Sequence, residues 1–275
     1  MPSEAEGGAA PSAGRLGRRA GAAAHGAGAP SFLYLPALRE MGQRFTLEGD
    51  EAHYALRVVR LRESERATAS DGAGFVAVLR VEHVKPDLTV VVESTSEHPR
   101  PVASRVLCGA PEGAGAHVSG RADWVVEKLG ELGVTAFQPI DTERARWPVP
   151  RNERWERLAI AALRQSRSAW RLELLPAAGL VEAMAAARER TRWLADASGP
   201  APPDLALPPD EPCVAAIGPS AGFTDPERKA LRGGGFAPIR LAPHRLRTET
   251  AAIAVAALWA ARRSPVGVDR SARQA

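Results

Sequence analysis

Cys213-Val214-Ala215-Ala216-Ile217 runs directly into Gly218-Pro219-Ser220-Ala221-Gly222-Phe223, and Thr224-Asp225-Pro226-Glu227 follows. The apolar run predicts a strand. Gly and Pro then make a tight loop whose amides can face a ligand. Thr224 and Glu227 have the spacing of a capping box, in which hydroxyl and carboxylate each satisfy a free amide of the first helical turn. The helix they open stops at Gly233-Gly234-Gly235. The loop carries no Gly-Lys-Ser/Thr, and no GxGxxG opens a helix after a strand, so neither nucleotide fingerprint is present. From this segment alone an ordinary strand-to-helix turn reads the same way.

The alternation extends in both directions. Strands are expected at 105–109, 193–196, 213–217 and 237–241. A helix is expected at 121–132, where Val125, Leu129 and Leu132 fall at i, i+4 and i+7 and Gly133 closes it. Another is expected at 153–168, with Trp155, Leu158, Ala159, Ala162 and Leu163 on one face. The last would run from Thr248, as its cap, to Arg263, before Pro265. Strands alternating with helices predict an α/β domain with a largely parallel sheet over 101–264.

The chain before it reads differently. Candidate strands at 43–47, 66–70, 75–84 and 88–94 are separated by Gly, Asp and Pro turns. One helix is expected over 51–61, with Tyr54, Leu56, Val58, Val59 and Leu61 inward and Arg57, Arg60 and Arg62 outward. This predicts a small β-rich, barrel-like domain over 31–100, joined through Arg100-Pro101. Residues 1–30, almost all Ala, Gly, Ser, Pro and Arg, have too little apolar surface to order and lack the h-region of a signal peptide. Residues 265–275 read as a second tail.

Composition narrows the function classes. Hydrophobic residues make up 45% and charged residues 25%, an ordinary globular balance. The longest apolar run, 251–261, is far short of the ~20 residues of a spanning helix. Two cysteines and six scattered histidines give no metal-ligand spacing, so no metal is expected. A formal charge of +4 permits a polyanionic partner without requiring one.

Two further segments could carry chemistry. In Leu241-Ala242-Pro243-His244-Arg245-Leu246-Arg247-Thr248-Glu249-Thr250-Ala251, capping explains Thr248 and Glu249. It does not explain Arg247, a cation at the positive end of a helix dipole. At helical spacing Arg157, Arg164, Arg167 and Arg171 share one sector, opposite Trp155 and Ala162. A guanidinium face suits phosphate contacts, and a solvated surface is the equal alternative.

Taken in order, these segments resemble a known family. Ile217-Gly218-Pro219 with Gly222-Phe223, then Leu246-Arg247-Thr248-Glu249-Thr250-Ala251, are similar to the paired signatures IGPEGGF and LRTETA. These mark the RsmE-type uridine-N3 methyltransferases of 16S ribosomal RNA, within the SPOUT (trefoil-knotted) class. His53 with Leu56-Arg57-Val58-Val59-Arg60-Leu61, Glu127-Lys128 through Glu131-Leu132-Gly133-Val134, and Arg154-Trp155 through Gln165-Ser166 match further family motifs. The resemblance covers about residues 31–263. Ser220 and Ala221 depart from it, standing where the family has Glu and Gly, and Ala242 stands where Gly is common.

The resemblance implies a PUA-like N-terminal RNA-binding barrel and a knotted methyltransferase domain that binds S-adenosylmethionine. Cofactor-binding residues would be Ala195, Ile217, Gly218, Pro219, Gly222, Leu241, Leu246, Thr248 and Thr250. Arg57, Arg60, Arg157, Arg164, Gln165, Ser166 and Arg167 would contact RNA. Arg247 would stabilise the uracil anion, with Glu249 as base or as the partner that orients the arginine. The expected partner is the small ribosomal subunit, met by a cytoplasmic homodimer without membrane or metal. A SPOUT enzyme with another RNA target, or an inactive RNA-binding paralogue, are the alternative readings.

Overall fold

The computed structural model describes residues 31–112, 120–148, 152–201 and 211–262. The tails expected at 1–30 and 265–275 lie outside the described residues.

The N-terminal unit is a five-stranded mixed sheet of β1 (Ser31–Tyr34), β2 (Arg44–Leu47), β3 (Arg66–Ser70), β4 (Phe75–His83) and β5 (Leu88–Glu97), in the order β1-β3-β4-β5-β2. Period-two alternation turns Ala77, Leu79 and Val81 of β4 and Leu88 and Val90 of β5 into one apolar cluster with Leu33, Leu47, Ala67 and Ala69. The helix expected over 51–61 is α1 (Gly49–His53) continued by a π-helical turn, Tyr54–Val59. The extra residue per turn rotates the face. Val58, expected inside, is therefore 63% exposed, while Ala55 takes the buried position.

The second unit is a parallel sheet of β6 (Ser104–Cys108), β7 (Ala136–Asp141), β8 (Glu173–Leu174), β9 (Ala178–Gly179), β10 (Thr191–Ala195), β11 (Cys213–Ile217) and β12 (Ala237–Ile239). Its order is β12-β10-β11-β6-β7-β8, with β9 also on β7. The intervening helices are α2 (Gly120–Glu131), α3 (Asn152–Ser166), α4 (Leu180–Ala186), α5 (Asp225–Gly233) and α6 (Thr248–Ala260). Both faces of the sheet are covered, as a parallel sheet requires. Val106, Cys108, Ala215 and Ile217 face the cluster formed with α2, α3 and α6. Leu107, Val214 and Ala216 face the one formed with α4 and α5.

Two expected helix signals hold in atomic detail. Thr224 N donates to Glu227 Oε2 at 2.8 Å and Glu227 N donates to Thr224 Oγ1 at 3.4 Å, the reciprocal pair of a capping box. Gly133 takes φ +71° after α2, and Val134 N reaches back to Leu129 O at 3.0 Å. Thr248 is not the cap of α6. Arg247 holds that position without a side-chain cap, and Thr248 is the first helical residue.

The two units are joined by more than the linker. The turn after β3 lies against residues 168–171. Ser70 Oγ donates to Ala169 O at 3.0 Å, Gly74 N donates to the same carbonyl at 2.9 Å, and Arg171 N donates to Gly72 O at 2.9 Å. Ala73 and Trp170 form an antiparallel bridge. Beside it Arg164 pairs with Glu51 and lies 4.0 Å over the Tyr54 ring.

Candidate active site

In open parallel sheets ligands bind beyond the carboxyl ends of the strands, where the strand order reverses. Here the chain leaves β6 toward β7 on one side and later returns on the other side as β10, β11 and β12. The loops after β10, β11 and β12 meet at that end and enclose a cavity of about 550 Å³, a volume that suits a cofactor-sized ligand. Leu194, Ile217, Leu241 and Leu246 supply apolar wall.

Close backbone approaches set the loops. Gly109 N donates to Ile217 O at 2.8 Å, and a Cβ at Gly109 would lie 2.5 Å from Pro219 N. Gly222 takes φ +74°, which closes the tight loop. After β10 the chain passes over β12, where a Cβ on Gly199 would stand 2.8 Å from Ile239 N. Asp196 N donates to Ile239 O at 2.9 Å, and Arg240 N donates to Pro200 O at 2.7 Å. Thr248 Oγ1 ties the α6 segment to the β11 loop by donating to Gly218 O at 3.0 Å.

Arginines hold the loop carbonyls. Arg144 Nη1 donates to Ala221 O at 3.0 Å and Arg245 Nη2 donates to Ser220 O at 2.8 Å. At the two positions where Ser and Ala stand, the described bonds therefore run through the backbone. Three carboxylates reach the cavity lining: Glu112, Asp196 and Glu249. Burial opposes ionisation of Asp196, but bonds from the Ser198 amide and hydroxyl, with the charges of Arg228 and Arg232, outweigh it and hold the carboxyl below its ordinary value. Arg121 stands between the other two acids, 2.8 Å from Glu112 and 3.5 Å from Glu249. Cys108 lies beneath, its thiol pushed up by burial and by the charge of Glu249.

This arrangement has known counterparts. Residues 114–260 match the RNA methyltransferase domain family, and residues 47–93 match the PUA domain of RNA methyltransferases. The ribosomal RNA small subunit methyltransferase E of Synechocystis is 30% identical over 220 residues, covering 75% of this chain and 69% of that one. This chain belongs to that family of RNA methyltransferases. The Bacillus subtilis protein of the same name is 26% identical over 77% of this chain and 88% of its own length. Among solved structures, the Neisseria gonorrhoeae methyltransferase E bound to S-adenosylmethionine superposes with a TM-score of 0.71 at 25% identity, covering 86% of this chain and 98% of that one. A Legionella pneumophila methyltransferase with bound S-adenosylmethionine gives 0.72 at 27%, over 85% and 98%. The fold is the SPOUT class with a PUA-like N-terminal domain, and S-adenosylmethionine is the cofactor. The residues present fit it: Leu194, Ile217, Leu241 and Leu246 offer apolar wall to an adenosine, and Asp196, Glu112 and Glu249 bring carboxylates to a cationic ligand.

The methyltransferase cavity gathers most of the residues read from the sequence. Ala195, Ile217, Gly218, Pro219, Gly222, Leu241, Leu246, Arg247, Thr248 and Glu249 all line it. Thr250 does not, and lies exposed on α6. The expected arginine stripe is not continuous. α3 ends at Ser166, and Arg167, at φ +56°, turns the chain away. Arg157 is exposed, Arg171 pairs with Glu156, and Arg164 is spent on Glu51. Ser166 Oγ donates back to Ala162 O at 2.7 Å. Arg164, Gln165 and Arg167 line a smaller cavity of about 270 Å³ at the domain junction, while Arg57 and Arg60 stay exposed on the π-helical turn. Arg121, Arg144 and Arg245 were not legible as site residues, because Glu249, Ala221 O and Ser220 O, which they meet, lie far from them in sequence. Among the described residues no cluster of His, Cys, Asp and Glu could hold a metal, and no helix is long and apolar enough to cross a membrane.

Proposed function

We propose that this methyltransferase acts on N3 of a uridine in 16S ribosomal RNA of the small subunit, as a cytoplasmic homodimer. The observation that carries this reading is the meeting of Arg247 and Glu249 with the three strand-end loops in one cavity. The relatives from Synechocystis and Bacillus subtilis are named for small-subunit ribosomal RNA.

Bound S-adenosylmethionine supplies an electrophilic methyl group on a sulfonium, so the protein must place the uridine and manage one proton. The N3–H of uracil is a weak acid, and its loss puts negative charge on the ring. Glu249, 6% exposed beside Arg121, would accept that proton at a carboxylate oxygen. The Arg247 guanidinium, at the rim, would meet the charge that develops on the uracil oxygens.

A homodimer is supported by apolar surface left on two packed helices. Trp124 of α2 is 45% exposed, and Ile253 and Leu258 of α6 are half-buried. Gln165 and Arg167, with exposed Arg57, Arg60 and Arg157, are the further RNA contacts in this reading.

The test is methyl transfer from labelled S-adenosylmethionine to small subunits lacking the modification, followed by nucleoside analysis. N3-methyluridine is the expected product. Label in another nucleoside, or none with cofactor bound, would overturn the assignment.

A further inference from the structure

Arg121 serves two carboxylates of very different burial. Its Nη1 donates to Glu112 Oε2 at 2.8 Å and its Nε lies 3.5 Å from Glu249 Oε1. The Glu249 side chain is 6% exposed, the Glu112 side chain 72%. Glu249 is set in place by the packing of α6. The described bond on the Glu112 side chain is the one from Arg121. Arg247 lines the same rim. The bond and charge of Arg121, followed by the charge of Arg247, hold the Glu112 carboxyl below its ordinary value. One exposed acid thus stands against two arginines at the opening through which a polyanionic substrate must approach.

The energetics favour exchange. An exposed ion pair contributes little to stability, so Glu112 is easily displaced. A phosphate presents the same oxygen pair to a guanidinium fork with greater charge. We propose that Arg121 forms a phosphate subsite for the RNA substrate, and that the Glu112 carboxylate occupies it in the free protein as a stand-in for that phosphate. The inference rests on the reading of this protein as an RNA methyltransferase and adds a site that reading does not contain. It makes Glu112 a specificity residue, because an RNA that fails to place a phosphate on Arg121 leaves the stand-in undisturbed.

The salt dependence of binding separates this from a structural role. A phosphate that meets a free arginine releases its counterions. A phosphate that evicts Glu112 also breaks an ion pair that salt already screens, so affinity falls less steeply with salt. Binding of purified small ribosomal subunits is therefore measured across a KCl series for wild type, Glu112→Gln, Arg121→Ala and the double variant. S-adenosylmethionine titrations run alongside. Glu112→Gln should bind subunits about fivefold more tightly at moderate salt. Its slope of log K against log salt should steepen. Both effects should vanish in the Arg121→Ala background, or in the Arg121→Gln background if Arg121→Ala proves unfolded.

Unchanged or weaker binding and an unchanged slope for Glu112→Gln would overturn the proposal. Tighter S-adenosylmethionine binding with unchanged subunit binding would overturn it too, by assigning the anion to the cofactor carboxylate. Wild-type protein that binds S-adenosylmethionine but no subunits at any salt would instead overturn the reading on which the proposal rests.

Discussion

Thr248 Oγ1 donates to Gly218 O at 3.0 Å across thirty residues of sequence, and both residues line the cofactor cavity. One buried hydroxyl thereby fixes the spacing between the loop after β11 and the start of α6. Thr248→Val keeps the shape and removes the donor, leaving the Gly218 carbonyl unpaired at a cost of about 1–3 kcal/mol. We expect a lower melting temperature and roughly tenfold weaker S-adenosylmethionine binding by calorimetry. Thr248→Ser should restore both. Cofactor affinity unchanged in Thr248→Val would show that the bond does not shape the site.

Arg247 caps α6 with its backbone and leaves its guanidinium exposed at the rim. Arg247→Ala should abolish methyl transfer, with melting temperature and S-adenosylmethionine affinity within error of wild type. Glu249→Gln should lower kcat by a factor of about 10²–10⁴, the span of a lost proton acceptor. Full turnover in either variant removes that residue from the chemistry.

The domain joint makes its own prediction. Gly74 sits at φ +100°, and a Cβ there would come within 2.5 Å of the Trp170 ring and 2.8 Å of His98 O. Gly74→Ala combines left-handed strain with a clash and should cost about 2–4 kcal/mol. Urea denaturation measures it, and a loss below ~0.5 kcal/mol would mean that the joint yields easily.

Glu51, at the same joint, links stability to pH. Burial raises its pKa, outweighing the opposing bond from the Tyr34 amide and the charge and bond of Arg164. A raised carboxyl binds its proton more tightly in the folded state. Its contribution is therefore full below the ordinary carboxylate value and is lost as pH rises through the folded value. Glu51→Gln keeps the neutral form, so its melting temperature should gain on wild type across that window. A difference that falls with rising pH would reverse the sign.

How far these features could be read in advance depends on where each signal is stored. Cys213–Ile217 and the Thr224 capping box were legible because strand, cap and partner are contiguous. β7 was not, because Gln138-Pro139 interrupts its pattern and proline cannot donate to a ladder. β8 pairs with Ala136 and Phe137 and β9 with Ile140 and Asp141, so Pro139 falls between the two short partners. Periodicity placed Arg164 on the polar side of α3 but could not show Glu51 and Tyr54 waiting there. The Thr248 hydroxyl was expected to cap its own helix, and its partner lies on another loop. A contact between remote segments, such as that of Arg121 with Glu249, leaves no local trace.

Mass spectrometry of nucleosides from small-subunit ribosomal RNA, comparing cells with and without this protein, decides whether it makes N3-methyluridine. N3-methyluridine should disappear in the deletion, return with the intact gene, and stay absent with the Arg247→Ala gene. N3-methyluridine unchanged in the deletion would contradict this activity and would assign that mark to another enzyme.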